Sequence, residues 1–146
     1  MIGPLRRSTL LGTRRRRGMA EVVVDASALV DLLLDNALGG AVRRRIAGHV
    51  LHAPAHMDAE VLSVLGRLHR AGELDPNGVE SRLREMAEAP IRRHPLAALL
   101  LGAWARRQEL RLVDALYVEL AVSRGVLLVT TDRRLHATPS ADVVIG

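Results

Sequence analysis

Two short apolar runs in this chain each lead into a carboxylate. Val22-Val23-Val24 precedes Asp25, and Val126-Leu127-Leu128-Val129 leads through Thr130-Thr131 into Asp132. Runs of Val and Leu without polar alternation are typical of strands buried on both faces, as in the centre of a parallel sheet. The chemistry of open α/β sheets gathers at the carboxyl ends of such strands. Two acids placed there would concentrate negative charge, an arrangement that favours binding of a metal ion.

A third acid, Asp114, lies where a helix should bury apolar side chains. At 100° per residue, the helix that follows it has a broad apolar arc that includes Asp114 and excludes Glu119. The helix dipole stabilises an acid at the N-terminal end of a helix by only about 0.3–1 kcal/mol, which is less than the free-energy cost of burying a charge. Asp114 therefore either caps this helix or belongs to a charged site, and the pattern alone leaves both readings open.

A further helix, predicted from about residue 55 to residue 70, carries two candidate acids. Asp58 lies within its apolar face, whereas Glu60 lies just past the edge of that face. Periodicity favours Asp58, but an acid in the first turn is also a common partner of the helix dipole. Spacing alone does not rank Asp58 and Glu60.

Hydroxyl groups accompany the two strand-end acids. Ser27, Thr130 and Thr131 are close enough in sequence to orient a carboxylate or a metal-bound water, although each could instead cap a turn or helix, as could the Asp residues themselves.

Basic side chains offer less specific signals. Arg133 and Arg134 adjoin Asp132 and could hold phosphates, although a run of charge is usually a solvated face. The six histidines form no HExxH motif and no pair near a strand-end Asp, which indicates surface or packing roles.

The elements that must position these groups alternate between strand and helix. Five strands are predicted, and they lie near residues 22–24, 50–53, 91–94, 126–129 and 142–145. Helical segments separate most of them. This order predicts an α/β domain of three layers, in which helices cover both faces of a mainly parallel sheet of about five strands.

Several helix ends are predicted from local signals. Ser27 is expected to cap a helix that runs to about Leu34, and Asp35-Asn36 and Gly39-Gly40 are expected to act as breakers before a second helix at 41–47. Asp75-Pro76 should open a helix that runs to Glu88. A helix is also expected over 96–107, and Gly125 should end the helix that contains Asp114.

Composition excludes several classes of protein. The 146 residues include no Phe, one Tyr and one Trp, so recognition of single-stranded RNA by aromatic stacking is not expected. The absence of Cys excludes a disulfide framework and a thiolate zinc site, and it is compatible with a cytoplasmic protein. No uncharged apolar stretch approaches the roughly 20 residues that span a bilayer, so no membrane association is predicted.

The net charge of +5 comes from the beginning of the chain. Residues 1–18 contain six arginines and no acid, whereas residues 19–146 contain 15 arginines and 16 acids. The predicted domain, 19–146, is therefore almost neutral, and the high isoelectric point carries little weight as a sign of nucleic-acid binding. The basic extension 1–18 is interpreted as a disordered tail or a start assigned too early, since Met19-Ala20-Glu21 directly precedes the first strand.

Four short motifs, taken in order, resemble those of PIN-domain ribonucleases. They are Glu-Val-Val-Val-Asp25-Ala-Ser, Asp58-Ala-Glu60-Val-Leu, Leu-Val-Asp114-Ala-Leu-Tyr and Leu-Val-Thr-Thr-Asp132-Arg-Arg-Leu. Each is short, but the ordered set is specific and extends from about residue 19 to the end. Within the family, the chain is most similar to VapC-type toxins of toxin–antitoxin pairs.

The resemblance implies a PIN-like fold and a metal-dependent endoribonuclease. It assigns Asp25, Glu60, Asp114 and Asp132 to an acidic quartet that binds Mg²⁺ or Mn²⁺, and it selects Glu60 over Asp58. Asp25 and Asp114 would be direct ligands, while Glu60 and Asp132 would bind a second ion or hold the attacking water. Hard carboxylate oxygens suit these ions, which can activate water for attack on a phosphodiester.

The resemblance also implies partners: an RNA substrate, such as a structured tRNA or rRNA, a small antitoxin protein and a second copy of the chain. Two alternatives remain, a PIN-like module that binds RNA or protein without cutting and an RNA-processing nuclease that is not a toxin. Phosphotransfer enzymes that place Asp after the first strand are disfavoured because they use a lysine, and this chain has none. A P-loop or dinucleotide-binding unit is disfavoured because its glycine-rich turn is missing.

Overall fold

The computed structural model describes residues 20–146. The predicted extension 1–18 lies outside the described residues. Five strands and six α-helices follow one another along the described chain. They are β1 (Glu21–Val24), α1 (Ala26–Leu34), α2 (Ala37–Ile46), β2 (Val50–Pro54), α3 (Met57–Arg70), α4 (Pro76–Glu88), β3 (Ile91–His94), α5 (Leu100–Ala105), α6 (Leu112–Arg124), β4 (Leu128–Thr130) and β5 (Ala141–Val143).

All five strands pair in parallel, in the order β3-β2-β1-β4-β5. The two apolar runs that lead to acids form the neighbouring strands β1 and β4, in which Val24 pairs with Val129. Since β1, β2 and β4 are central strands, their side chains are buried on both faces. The predicted parallel α/β sheet is confirmed.

The helices cover the sheet in two groups. The first four pack among themselves, whereas α6 packs against α5 and across β1, β2 and β4. Right-handed crossovers place these two groups on opposite faces, because the chain moves from β1 to β3 in one direction and then crosses back to β4. The result is the expected three-layer α/β/α domain, with an aliphatic core between the layers.

The first helix is capped by Asp25 and not by Ser27, so that prediction is wrong. The backbone of Asp25 is extended, and its side chain accepts a hydrogen bond from the N–H of Ala28. Ser27 lies one residue inside the helix. The strand therefore passes directly into the helix, and Asp25 occupies the junction between them.

The predicted break at Asp35-Asn36 is confirmed, since it separates α1 from α2, whereas the prediction of a break at Gly39-Gly40 is wrong. Both glycines lie inside α2, whose cap is Asn36, which accepts a hydrogen bond from the N–H of Gly39. Gly39 packs so closely on α1 that a Cβ atom would overlap the carbonyl oxygen of Asp31. This glycine serves a contact between helices, which local sequence does not reveal.

Other predicted ends are correct or nearly so. The helix Pro76–Glu88 has Asp75 as its cap, and Gly125 ends α6 in the left-handed conformation with φ of 68°. The helix expected over 96–107 is instead a 3-10 turn, Ala97–Leu99, followed by the short α5. Within residues 20–146, no helix combines the length and the apolar character needed to cross a bilayer.

Candidate active site

Asp25 is held at the carboxyl end of β1 by hydroxyl groups from two elements. Thr130, the last residue of β4, donates to Oδ2 at 2.5 Å. Ser27 donates to Oδ1 at 2.7 Å, and the N–H of Ala28 donates to the same oxygen at 3.0 Å. The carboxylate is buried, with only 6% of the residue exposed. Its orientation is thus fixed by three donors.

The surroundings of Asp25 disfavour the ionised form of its carboxyl group. Burial raises the pKa of Asp25 to about 6, although the hydrogen bonds from Thr130, Ala28 and Ser27 act in the opposite direction. The nearby carboxylate of Asp114 adds to the increase. The negative charge of Asp114 therefore disfavours ionisation of Asp25.

Asp114 lies in the first turn of α6 but does not cap it. The capping position is Arg111, and the helix begins at Leu112. The Asp114 side chain is 18% exposed and accepts a hydrogen bond from Nε of Arg111 at 3.1 Å. Of the two readings that the sequence left open, capping of the helix is excluded by this geometry.

Glu60 and Asp58 have different surroundings on α3. Glu60 accepts a hydrogen bond from the hydroxyl of Tyr117 at 2.5 Å, so it is connected to α6. Asp58 instead forms a two-point ion pair with Arg93 on β3, with distances of 2.7 and 3.0 Å. This pair explains why an acid lies on the apolar face of α3. Asp58 is therefore committed to a structural contact, whereas Glu60 faces the helix that carries Asp114.

Asp132 follows β4 and is paired with Arg134. The guanidinium of Arg134 contacts both carboxylate oxygens, and the closest approach is 2.5 Å. This contact, more than any other, lowers the pKa of Asp132. The N–H of Asp132 donates to Oγ1 of Thr130 at 3.0 Å. Thr130 thereby connects the backbone of Asp132 to the carboxylate of Asp25.

The remaining predicted residues have separate surroundings. The hydroxyl of Thr131 donates to Asp31 at 2.7 Å, so it orients an acid outside the predicted quartet. The N–H of Thr131 donates to Oγ of Ser27 at 3.2 Å. Arg133 is exposed and lines a shallow cavity with His136, Val143 and Ile145. Its assignment to phosphate stays a prediction.

The donor set suits a hard cation that retains much of its water. Within residues 20–146, no three Asp, Glu or His side chains stand close enough together to enclose a metal ion in their present orientations. Asp114 and Asp132 are turned towards Arg111 and Arg134. Mg²⁺ commonly binds through one or two carboxylates and completes its shell with water and substrate phosphates, whereas Zn²⁺ and Ca²⁺ sites need more protein ligands. Asp25 and Asp114 would provide the two carboxylates of a Mg²⁺ site of this kind.

Two side chains near Glu60 were missed by sequence reasoning. Tyr117 belongs to the apolar arc of its helix, which predicts a packing role, and His56 is one of the six histidines interpreted as surface or packing residues. The His56 ring lies 4.8 Å from the Tyr117 ring, and its Nε2 is 3.5 Å from Oε1 of Glu60. The one available signal was that Tyr117 follows Asp114 by three residues and so shares its side of the helix.

Known proteins share the sequence and the fold of this chain. The family model described as the PIN domain matches residues 22–140. Ribonuclease VapC3 of Mycobacterium tuberculosis is 56% identical over 126 residues, which cover 85% of this chain and 92% of that protein.

Two solved structures share the fold. One is the toxin VapC20 of Mycobacterium tuberculosis, described as cleaving the sarcin-ricin loop, with a TM-score of 0.65 and 20% identity over 86% of this chain and all of that one. The other is a toxin–antitoxin complex from Klebsiella pneumoniae, with a TM-score of 0.57 and 17% identity over 84% of this chain and 97% of that one.

Proposed function

The chain belongs to the PIN-domain family of VapC ribonucleases, and from this premise we propose that it is a Mg²⁺- or Mn²⁺-dependent endoribonuclease, the toxin of a toxin–antitoxin pair. The observation that carries the proposal is the buried Asp25 carboxylate at the carboxyl end of β1, held by Thr130, Ser27 and the N–H of Ala28. A buried carboxylate whose pKa is raised by burial and by a neighbouring carboxylate is costly unless a cation offsets the charge.

Asp25 and Asp114 are the proposed direct ligands. Ser27 and Thr130 keep the Asp25 carboxylate in one orientation, so that little rearrangement is needed when the cation binds. When bound, Mg²⁺ or Mn²⁺ would supply an activated water and stabilise the leaving oxygen of a phosphodiester. No lysine or histidine is then required for the reaction.

Glu60 and Asp132 complete the proposed quartet. Their assigned role is to bind a second ion or to hold the attacking water in line with the scissile bond. Arg133 and Arg134 lie beside Asp132 and are the proposed contacts to RNA phosphates. Arg134 is more than half exposed and would exchange its contact with Asp132 for a phosphate.

Cleavage of total RNA by the purified protein from Met19 onwards tests this function. Wild type should produce discrete fragments with Mg²⁺ or Mn²⁺ and none with EDTA, and Asp25→Asn should be inactive. Glu85→Gln, an exposed acid on α4, is the matched control and should cut like wild type. Cleavage that survives EDTA or Asp25→Asn would refute the metal mechanism, and an inactive wild type would favour a binding module that does not cut.

The proposed partners are a small antitoxin and a second copy of the chain, within the cytoplasm. Support comes from exposed apolar side chains of α5: Leu100 and Trp104 are each 55% exposed. Together with residues of α6 they line a groove of about 250 Å³, whose lining is Leu100, Ala103, Trp104, Leu112, Val113 and Leu116. An apolar surface of this kind is typical of a protein-binding face.

Light scattering after size-exclusion chromatography separates the two partners. A dimer of the isolated chain that becomes a monomer in Leu100→Glu would assign the groove to a second copy. A chain that is monomeric alone, and in which Leu100→Glu abolishes binding of the co-expressed antitoxin, would assign it to the antitoxin. An unchanged assembly in both experiments would contradict a role for this surface.

A further inference from the structure

We propose that Tyr117 is a positioning residue that fixes the Glu60 carboxylate at the active site, an inference that rests on the proposed function of the acidic quartet. Tyr117 would be a fifth side chain of the site. It would not contact the RNA or the cation and would act on them only by orienting Glu60.

The Tyr117 hydroxyl is bonded to the Glu60 carboxylate. The residue is buried, with 2% of its surface exposed, and the phenol donates to Oε1 of Glu60 at 2.5 Å. A phenol has a single hydroxyl proton, and this hydrogen bond directs it at Glu60. Tyr117 thus connects α6 to the carboxylate on α3.

Glu60 needs such a contact more than the other acids do. Its side chain has three rotatable bonds and is one-third exposed, whereas Asp25 is held by three donors. The bond from Tyr117 occupies Oε1 and leaves Oε2 available to a cation or a water. The His56 ring packs beside the Tyr117 ring and approaches the same carboxylate, which narrows the space in which Glu60 can move.

The position of Tyr117 on α6 links it to a proposed metal ligand. Tyr117 follows Asp114 by three residues, so both project from the same side of this helix. One rigid helix therefore presents a carboxylate to the site and a hydroxyl to the carboxylate of another helix. If the side chain at this position only filled space, phenylalanine would serve as well. A buried phenol costs free energy unless its hydroxyl is hydrogen-bonded, which favours a role for the hydroxyl itself.

The first experiment uses the fact that Tyr117 is the only tyrosine of the chain. Tyrosine labelled with ¹³C at Cζ gives one resonance, which reports on the hydrogen bond of this hydroxyl. Glu60→Ala should shift the resonance, whereas Asp58→Ala, on the same helix but paired with Arg93, should leave it in place. No shift in Glu60→Ala, or an equal shift in both variants, would overturn the proposal.

The second experiment measures cleavage of RNA in a double-mutant cycle. Tyr117→Phe should lower kcat about tenfold with little change in KM, the size expected when a group that orients a ligand is removed. The same substitution in a Glu60→Ala background should cause no further loss of the residual rate. Ser123→Ala removes another hydroxyl of α6, bonded to the carbonyl of Leu120, and should keep the wild-type rate.

Equal losses from Tyr117→Phe in both backgrounds would overturn the proposal, because they would show an effect that does not pass through Glu60. A wild type that cleaves no RNA would refute the proposed function instead. In that case the labelled-tyrosine experiment, which needs neither RNA nor metal, still decides whether Tyr117 holds Glu60.

Discussion

The hydroxyl of Thr130 lies 2.5 Å from Oδ2 of Asp25 and joins the ends of two neighbouring parallel strands. The same Thr130 oxygen accepts the N–H of Asp132 at 3.0 Å. One buried hydroxyl therefore ties together the two acids that follow apolar runs in the sequence. This contact explains why both apolar runs end at the same place in the fold.

We expect Thr130→Val to destabilise the protein because it leaves Oδ2 of Asp25 and the N–H of Asp132 without this partner. The loss should be about 1–3 kcal/mol in the free energy of unfolding, measured by urea denaturation in EDTA. Thr130→Ser keeps the hydroxyl and should lose clearly less. Equal losses in the two variants would show that the methyl group, and not the hydrogen bond, matters.

The stability of Asp25→Asn relative to wild type should increase as the pH rises. Folded Asp25 has a pKa of about 6, against 3.8 for an ordinary aspartate, so ionisation above pH 3.8 favours the unfolded chain. As the pH rises through the range between these two pKa values, wild type loses at most about 3 kcal/mol of unfolding free energy. Asn does not ionise, so the variant is not subject to this loss. In thermal unfolding with EDTA, the unfolding temperature of Asp25→Asn minus that of wild type should be larger at pH 8 than at pH 5. A difference that is independent of pH would contradict the raised pKa.

Glu60→Gln and Asp58→Asn should have opposite consequences, although the two acids are two residues apart. Glu60→Gln should reduce cleavage of RNA at least tenfold and leave the unfolding midpoint almost unchanged. Asp58→Asn should keep cleavage and lose about 0.2–1 kcal/mol of stability, because it weakens a half-exposed ion pair with Arg93. Kinetics and urea unfolding on both variants check this. Loss of cleavage in Asp58→Asn with full activity in Glu60→Gln would reverse the assignment.

Adjacent glycines of α2 should respond in opposite directions to substitution by alanine. Gly39→Ala should destabilise the protein, because its Cβ would overlap the carbonyl oxygen of Asp31 and push α1 and α2 apart. Gly40→Ala has open space, with its nearest contact to Arg44 at 3.7 Å, and should gain up to about 1 kcal/mol as an ordinary helix position. Thermal unfolding of the two variants provides the comparison, and a stabilising Gly39→Ala would disprove the close contact.

The sheet was predictable because β1 and β4 contain short apolar runs, and because β3, which is Ile-Arg-Arg-His, is bounded by Pro90 and Pro95. Asp75-Pro76 and Gly125 mark helix ends through their own backbone preferences, and both are confirmed. Gly39 was misread because the reason for a glycine there lies in a neighbouring helix. Tertiary contacts of this kind are not visible in local patterns.

The site was predictable in part for the same reason. Asp25 and Asp132 follow strands, and Asp114 stands out on an apolar arc, so elementary physics identifies all three as unusual. The choice between Asp58 and Glu60 depends on Arg93 and Tyr117, which are 35 and 57 residues away from them in the sequence. No periodicity argument reaches those partners, and only the family resemblance selected Glu60.

The most direct test of the central claim is the rate of RNA cleavage as a function of Mn²⁺ concentration, in wild type and in Asp114→Asn. For wild type the rate should be zero without the ion and should rise to saturation. Asp114→Asn should need a higher concentration and reach a maximum at least about tenfold lower, because one of two proposed ligands is lost. A wild-type rate that does not depend on Mn²⁺ or Mg²⁺, or an unchanged curve in Asp114→Asn, would contradict the assignment of this acidic site to metal-dependent cleavage.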